Sequence, residues 1–135
     1  MNEKKKVIEV CAAVIFDGHR VLIASRPEGR EYAGYWEFPG GKIEPGESKA
    51  ACLKRELLEE LSMQVAVFDQ IYFTEYEYPQ RIVRLFFIRC LPLNGVTELR
   101  PRENQEYRWV QEKRLKEVRF LPADEGIAGF LSISS

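Results

Sequence analysis

The stretch GGKIEPGESKAACLKRELLEELSM, residues 40–63, decides how the chain is read. Gly40 and Gly41 follow an apolar approach, Trp36-Glu37-Phe38-Pro39, and a Pro45-Gly46 turn precedes Ser48. Ser48 is a good helix N-cap, because its hydroxyl can accept from a free backbone N–H one turn on. Ala50 to Leu61 holds no Gly or Pro and is rich in strong helix formers. Leu53, Leu57, Leu58 and Leu61 form an apolar stripe suited to a core. Glu56, Glu59 and Glu60 stand at i, i+3 and i+4, so they converge on one face, roughly opposite the leucines. Glu56 and Glu60, like charges one turn apart, cost an isolated helix about 0.2–0.5 kcal/mol. A divalent cation turns that repulsion into attraction, and a hard ion such as Mg²⁺ takes carboxylate oxygens alongside phosphate oxygens. Three glutamates on a helix are in most cases a solvated face. What sets these apart is their company: Glu47 before the cap, Arg55 beside the acids, and the glycine pair ahead.

The 135 residues suit a single domain, 1–135, with one core. Lys and Arg (20) nearly balance Asp and Glu (21), for a net charge of −1, which argues against a protein that coats a nucleic-acid polymer. No apolar run reaches the roughly 18 residues a membrane span needs. The charged start, Met1 to Lys6, leads into a stretch broken by Glu9 and Asp17 and reads as a first strand, not a signal peptide. Cys11, Cys52 and Cys90 lie far apart without CxxC spacing and read as small core residues of a reducing cytoplasm. His19 is the sole histidine and falls in a turn, so a histidine metal site or a Ser-His-Asp triad is not expected.

In chain order, Val7–Phe16 and Arg20–Ser25 read as strands joined at Asp17-Gly18. Tyr35–Phe38 is a short strand that delivers the glycine loop. Val65–Tyr78 and Arg81–Leu91 form a longer hairpin around Pro79-Gln80, and Asn94-Gly95 is a turn. Thr97–Glu106 is a polar loop, Tyr107–Gln111 a strand, and Glu112–Val118 one or two helical turns. Ala123–Ile133 reads as a last helix, weakened by Gly126 and Gly129. A mixed, mostly antiparallel sheet with helices on both sides fits this α/β order.

The spacing Gly41, five residues, Glu47, seven residues, Arg55-Glu56-Leu57, one residue, Glu59-Glu60 resembles the signature of the Nudix family. About nine positions are specified over roughly 23 residues, so chance agreement is remote. One position departs. Ser62 stands where the family usually carries Gly, which eases a left-handed helix exit. Either Ser62 accepts some strain or the exit differs; no charge is lost. The resemblance covers nearly the whole chain and is strongest to the MutT branch, whose approach to the signature looks like Trp36 to Glu44. It implies the Nudix fold, an α/β/α sandwich, and hydrolysis of nucleoside diphosphates linked to another group.

Carried over by position, the resemblance implies that Glu56, Glu59 and Glu60 ligate Mg²⁺ or Mn²⁺ together with the Gly40 carbonyl. Glu56 is also a candidate general base. Arg55 orients the acids, and Glu47 steadies the loop and Arg55. Glu103, six residues before Trp109, matches a further glutamate near the metal, or is a plain loop residue. Arg26 and Arg81 match arginines that face substrate, with an ordinary surface or turn position as the other reading of each. Phe38 falls on the substrate side. Asp124 takes the place of an asparagine that reads the oxidised guanine edge. Asn donates and accepts, while an ionised Asp only accepts. That suits a base presenting donors, such as the cytosine amino group or the guanine N1–H and amino group. The rival role for Asp124 is N-cap of the last helix.

The expected activity is that of a Mg²⁺-dependent nucleoside triphosphate pyrophosphohydrolase, converting NTP and water to NMP and pyrophosphate. Oxidised nucleotides such as 8-oxo-dGTP lead, and CTP or modified dCTP follow closely. A non-catalytic nucleotide-sensing or protein-binding module is the reading from another class, and the intact acids and Arg55 speak against it. The expected partner is the nucleotide alone, with neither nucleic-acid polymer nor membrane, on a monomer or homodimer.

Overall fold

A computed structural model describes residues 4–101 and 105–134. Strand β1 (Lys6–Asp17) is the centre of the molecule. Its run Cys11-Ala12-Ala13-Val14-Ile15 is apolar without alternation, the pattern of a strand covered on both faces. All five side chains are at most 2% exposed. One edge of β1 pairs in parallel with β6 (Arg81–Pro92), from Lys6↔Arg81 to Ile15↔Cys90. Strand β5 (Val65–Glu77) pairs antiparallel with β6. The end of β1 turns at Gly18 into β2 (Arg20–Ser25), while Val10–Ala12 pairs antiparallel with β4 (Gly40–Lys42). β2 in turn carries β3 (Trp36–Glu37) and β7 (Tyr107–Gln111), both antiparallel. The mixed sheet is therefore mostly antiparallel, as expected.

The alternation of β1 splits the core in two. Cys11, Ala13 and Ile15 face helix α1 (Lys49–Leu61) and its Cys52, Leu53, Leu57 and Leu61. Ala12 and Val14 face the other way, toward Ile127, Ala128 and Leu131 of helix α2 (Pro122–Ser134) and Leu115 of the 3-10 turn Glu112–Glu117. This is the α/β/α sandwich. Each fully buried leucine contributes about 1.5–3 kcal/mol. Leu58 is a correction: it is 47% exposed. The sheet takes the 53-57-61 line, and Leu58 is turned about 100° from Leu57 around the helix.

Helix α1 begins as its sequence predicts, with the Ser48 hydroxyl accepting the Ala51 N–H at 3.1 Å. It ends in the left-handed exit that glycine favours, although the residue is serine: Ser62 has φ 53° and ψ 31°. Its N–H bonds the Leu58 carbonyl at 3.0 Å, and the Met63 N–H bonds Leu57 at 3.2 Å. Of the two outcomes left open, Ser62 accepts the strain and the exit is kept. Cys11, Cys52 and Cys90 are buried and unbridged. Among the described residues, no helix is long and apolar enough to cross a membrane.

Candidate active site

The site is assembled from a turn, a helix and a glycine strand. In Glu44-Pro45-Gly46-Glu47, Gly46 takes φ +77° and the Glu47 N–H bonds the Glu44 carbonyl at 3.0 Å, a type II turn with Pro and Gly in their preferred places. Oε1 of Glu47 accepts the Glu44 N–H at 3.0 Å. The Arg55 guanidinium forks onto both carboxylate oxygens of Glu47, Nε at 2.6 Å and Nη2 at 2.9 Å. That fork, helped by the Glu44 N–H, holds the Glu47 carboxyl down at about 2. Arg55 Nη1 continues to Glu56 at 2.8 Å and Glu59 at 3.5 Å, and Nη2 to the Lys42 carbonyl at 3.2 Å. One cation thus ties the turn, β4 and two of the acids into a single geometry.

Glu56 is set against β4. A Cβ built on Gly41 would lie 2.3 Å from its Cδ and 2.4 and 2.6 Å from its two oxygens, so the carboxyl occupies space that only glycine leaves open. Burial raises the Glu56 carboxyl above the ordinary range, against the pull of Arg55. The Glu59 side chain is 60% exposed. Glu60 lines a cleft together with Gly40 and Gly41. Among the described residues, no three His, Cys, Asp or Glu side chains are drawn close enough to hold a metal ion as they stand. The donor set nevertheless fits a hard divalent cation. It is all oxygen, its acids stand at i, i+3 and i+4 on one helix, and it borders a glycine strand that offers no side chain to obstruct an ion.

The cleft beside Glu60 has a volume of about 490 Å³. It brings together Arg26, Phe38, Gly40, Glu60, Arg81 and Asp124, which come from five separate segments. Arg26 follows β2, where its Nη1 stands 3.7 Å from Glu37. Arg81 opens β6, 3.7 Å from Glu31 and over the Tyr78 ring. Phe38 stacks on Phe120 with centroids 5.3 Å apart. Glu47, Arg55, Glu56 and Glu59 are not among the lining residues. Glu103 lies outside the described residues.

Asp124 is the one buried charged residue among those described, at 3% exposure. Its Oδ1 accepts the Phe38 N–H at 3.3 Å. It sits inside the first turn of α2, which starts at Pro122, so the N-cap role does not hold. Burial pushes its carboxyl well above the usual range, and the neighbouring Glu37 pushes the same way, against Phe38 N–H and Arg26. Glu37 also lines the cleft, its own carboxyl raised by burial against the pull of Arg26. Sequence reasoning passed over Glu37, although an acid between Trp36 and Phe38 on an otherwise apolar approach was a signal. It also passed over Tyr32, a cleft residue with φ +60° that meets Tyr78 edge-on at 6.0 Å. Nothing local marks that residue.

The NUDIX domain profile matches residues 5–130. A CTP pyrophosphohydrolase of Escherichia coli (strain K12) is 36% identical over 119 residues, covering 88% of this chain and 87% of the relative. An 8-oxo-dGTP diphosphatase of Haemophilus influenzae is 38% identical over 122 residues, covering 89% and 88%. The solution structure of the E. coli ORF135 protein superposes with a TM-score of 0.81 at 32% identity, over 97% of this chain and 93% of the other. Profile, full-length relatives and fold agree, and the chain belongs to the Nudix family as a MutT-type hydrolase of phosphoanhydride bonds.

Proposed function

We propose that the chain is a Mg²⁺-dependent nucleoside triphosphate pyrophosphohydrolase that cuts the α–β anhydride to give a nucleoside monophosphate and pyrophosphate. Nudix hydrolases in general need a divalent metal. The observation that carries the reading is the cleft, where an acid of α1 and the glycine strand meet two arginines and a buried acid. When bound, the metal neutralises phosphate oxygens and organises the attacking water. Glu56, Glu59, Glu60 and the Gly40 carbonyl would hold it. Glu56 is the candidate base that would take a proton from water. Arg55 and Glu47 keep these acids in register. Arg26 and Arg81 meet substrate charge, and Phe38 and Asp124 meet the base.

Asp124 narrows the choice of base. Burial shifts this carboxyl toward its protonated form, and in that form it donates and accepts at once, the pattern of an asparagine. Such a pair matches an edge with a donor beside an acceptor. Oxidation at C8 gives the guanine N7 edge that pattern, because N7 becomes an N–H beside O6. Unmodified guanine presents two acceptors there. 8-oxo-dGTP, which matches the protonated form and is hydrolysed by a relative named 8-oxo-dGTP diphosphatase, is the leading substrate. CTP and modified dCTP are second, since the cytosine amino group beside N3 offers the same pair, and a CTP pyrophosphohydrolase is among the relatives.

Pyrophosphate release with Mg²⁺ from 8-oxo-dGTP, dGTP, CTP and 5-methyl-dCTP ranks the substrates. Wild type is expected to favour the oxidised guanine, and Glu59→Gln and Glu60→Gln to lose activity on all four. Variants and wild type behaving alike on every nucleotide would return the chain to the non-catalytic class.

A further inference from the structure

Cys52 is fully buried on α1, yet its thiol faces backbone as well as core. Sγ lies 3.4 Å from the Lys42 carbonyl and 3.6 Å from the Gly41 carbonyl. The two carbonyls differ in their other partners. Ala13 N–H bonds Pro39 at 2.7 Å and Ile43 N–H bonds Glu9 at 3.0 Å. In an antiparallel ladder that alternation turns Gly41 toward β1 and Lys42 away from it. The Lys42 carbonyl is met instead from α1, by the Cys52 thiol and by Arg55 Nη2 at 3.2 Å. Arg55 Nη2 also stands 3.9 Å from the Cys52 sulfur, so the three groups form one cluster. Burial pushes the thiol up to about 12, which keeps it an S–H donor at physiological pH.

We propose that Cys52 is a positioning residue: its S–H, with Arg55, anchors the Lys42 carbonyl and sets the spacing between the glycine strand and the acids of α1. Alanine or valine at this position fills the core but donates nothing. Arg55 would then hold the Lys42 carbonyl alone while also serving Glu47, Glu56 and Glu59. The inference rests on the reading of those acids as the seat of chemistry.

Cys52→Ala, Cys52→Val and Cys52→Ser separate donor from bulk. Amide hydrogen exchange at Gly41, Ile43 and Glu44 is measured without metal or nucleotide, and kcat and KM are measured for 8-oxo-dGTP with Mg²⁺. Alanine and valine are expected to speed exchange and to lower kcat about three- to tenfold, the span of one ordinary hydrogen bond, with KM little changed. Serine, which keeps a donor, restores both. Wild-type exchange and kcat in Cys52→Ala overturn the proposal, as does a serine variant that falls with alanine. Should alanine fail to fold, valine against serine decides on the same terms. Glu60→Gln run alongside separates the two readings. An active Glu60→Gln removes the proposed function, whereas an inactive one beside an unaffected Cys52→Ala removes only the anchor.

Discussion

Gly41→Ala tests the placement of Glu56 with a single methyl group. The Gly41 backbone is not in the left-handed region, so alanine adds no conformational strain of that kind. The whole effect is steric. A new Cβ would sit 2.3 Å from the Glu56 carboxyl carbon, where ordinary contact begins at 3.4 Å, so the carboxyl must withdraw by about 1 Å. In doing so it leaves the Arg55 Nη1 bond at 2.8 Å. The displaced atoms end a flexible side chain, so stability falls by only about 1 kcal/mol, the low end of overpacking. That corresponds to a melting shift of roughly 3–5 °C for a domain of this size. Activity is far more sensitive, because a misplacement of about 1 Å in a reacting group costs on the order of a hundredfold. Thermal melts and pyrophosphate release on one preparation read both numbers. The double variant Gly41→Ala/Glu56→Gln adds the decisive arm: if the methyl acts through Glu56, the pair loses about as much as Glu56→Gln alone. Gly41→Ala with wild-type turnover, or losses that multiply in the double variant, refutes the placement.

Asp124→Asn should change stability in a pH-dependent direction. Because burial raises the folded-state carboxyl, wild-type stability is full below the unfolded carboxylate range and declines as pH rises through the raised value. The asparagine variant lacks that decline, so its melting temperature should gain on wild type as pH rises above the ordinary carboxylate range; parallel curves would remove the buried-acid account. Glu47 works in the opposite sense. Its carboxyl is held at about 2 by Arg55, so it stabilises the fold above the ordinary carboxylate value of 4.5 and loses that contribution as pH falls toward 2. Acid unfolding of Glu47→Gln should therefore be shallower than that of wild type across that window. Gly129→Ala on α2 meets nothing within 4 Å and should raise stability by about 0.5–1 kcal/mol without touching activity. Gly126→Ala, whose Cβ would meet the Tyr72 hydroxyl at 2.6 Å, should not share the gain.

Local chemistry made much of this legible. Ser48, the unbroken Leu, Glu and Lys content and the spacing of the acids carry helix α1 in the sequence itself, because capping and periodicity act within a few residues. Arg55 and Glu47 were legible only as a spacing, and their fork appears once the type II turn brings them together. Strand β4 was not legible. Three residues, two of them glycine, carry no strand propensity, and β1 imposes the extended form by pairing. The parallel union of β1 and β6 joins segments remote in sequence and leaves no local mark. The cleft joins segments remote in sequence, so its unity is a property of the fold. Arg26, Arg81 and Asp124 were singled out by resemblance, while Glu37 and Tyr32 went unmarked because their importance comes from neighbours far along the chain.

The central claim is that the acids of α1 gather a divalent ion beside the nucleotide cleft. Mn²⁺ titration followed by electron paramagnetic resonance, with a non-hydrolysable triphosphate present, tests it without relying on turnover. Wild type should bind the ion, and Glu56→Gln, Glu59→Gln and Glu60→Gln should each weaken that binding by about tenfold or more. Equal Mn²⁺ affinity in wild type and in the triple variant would contradict the account.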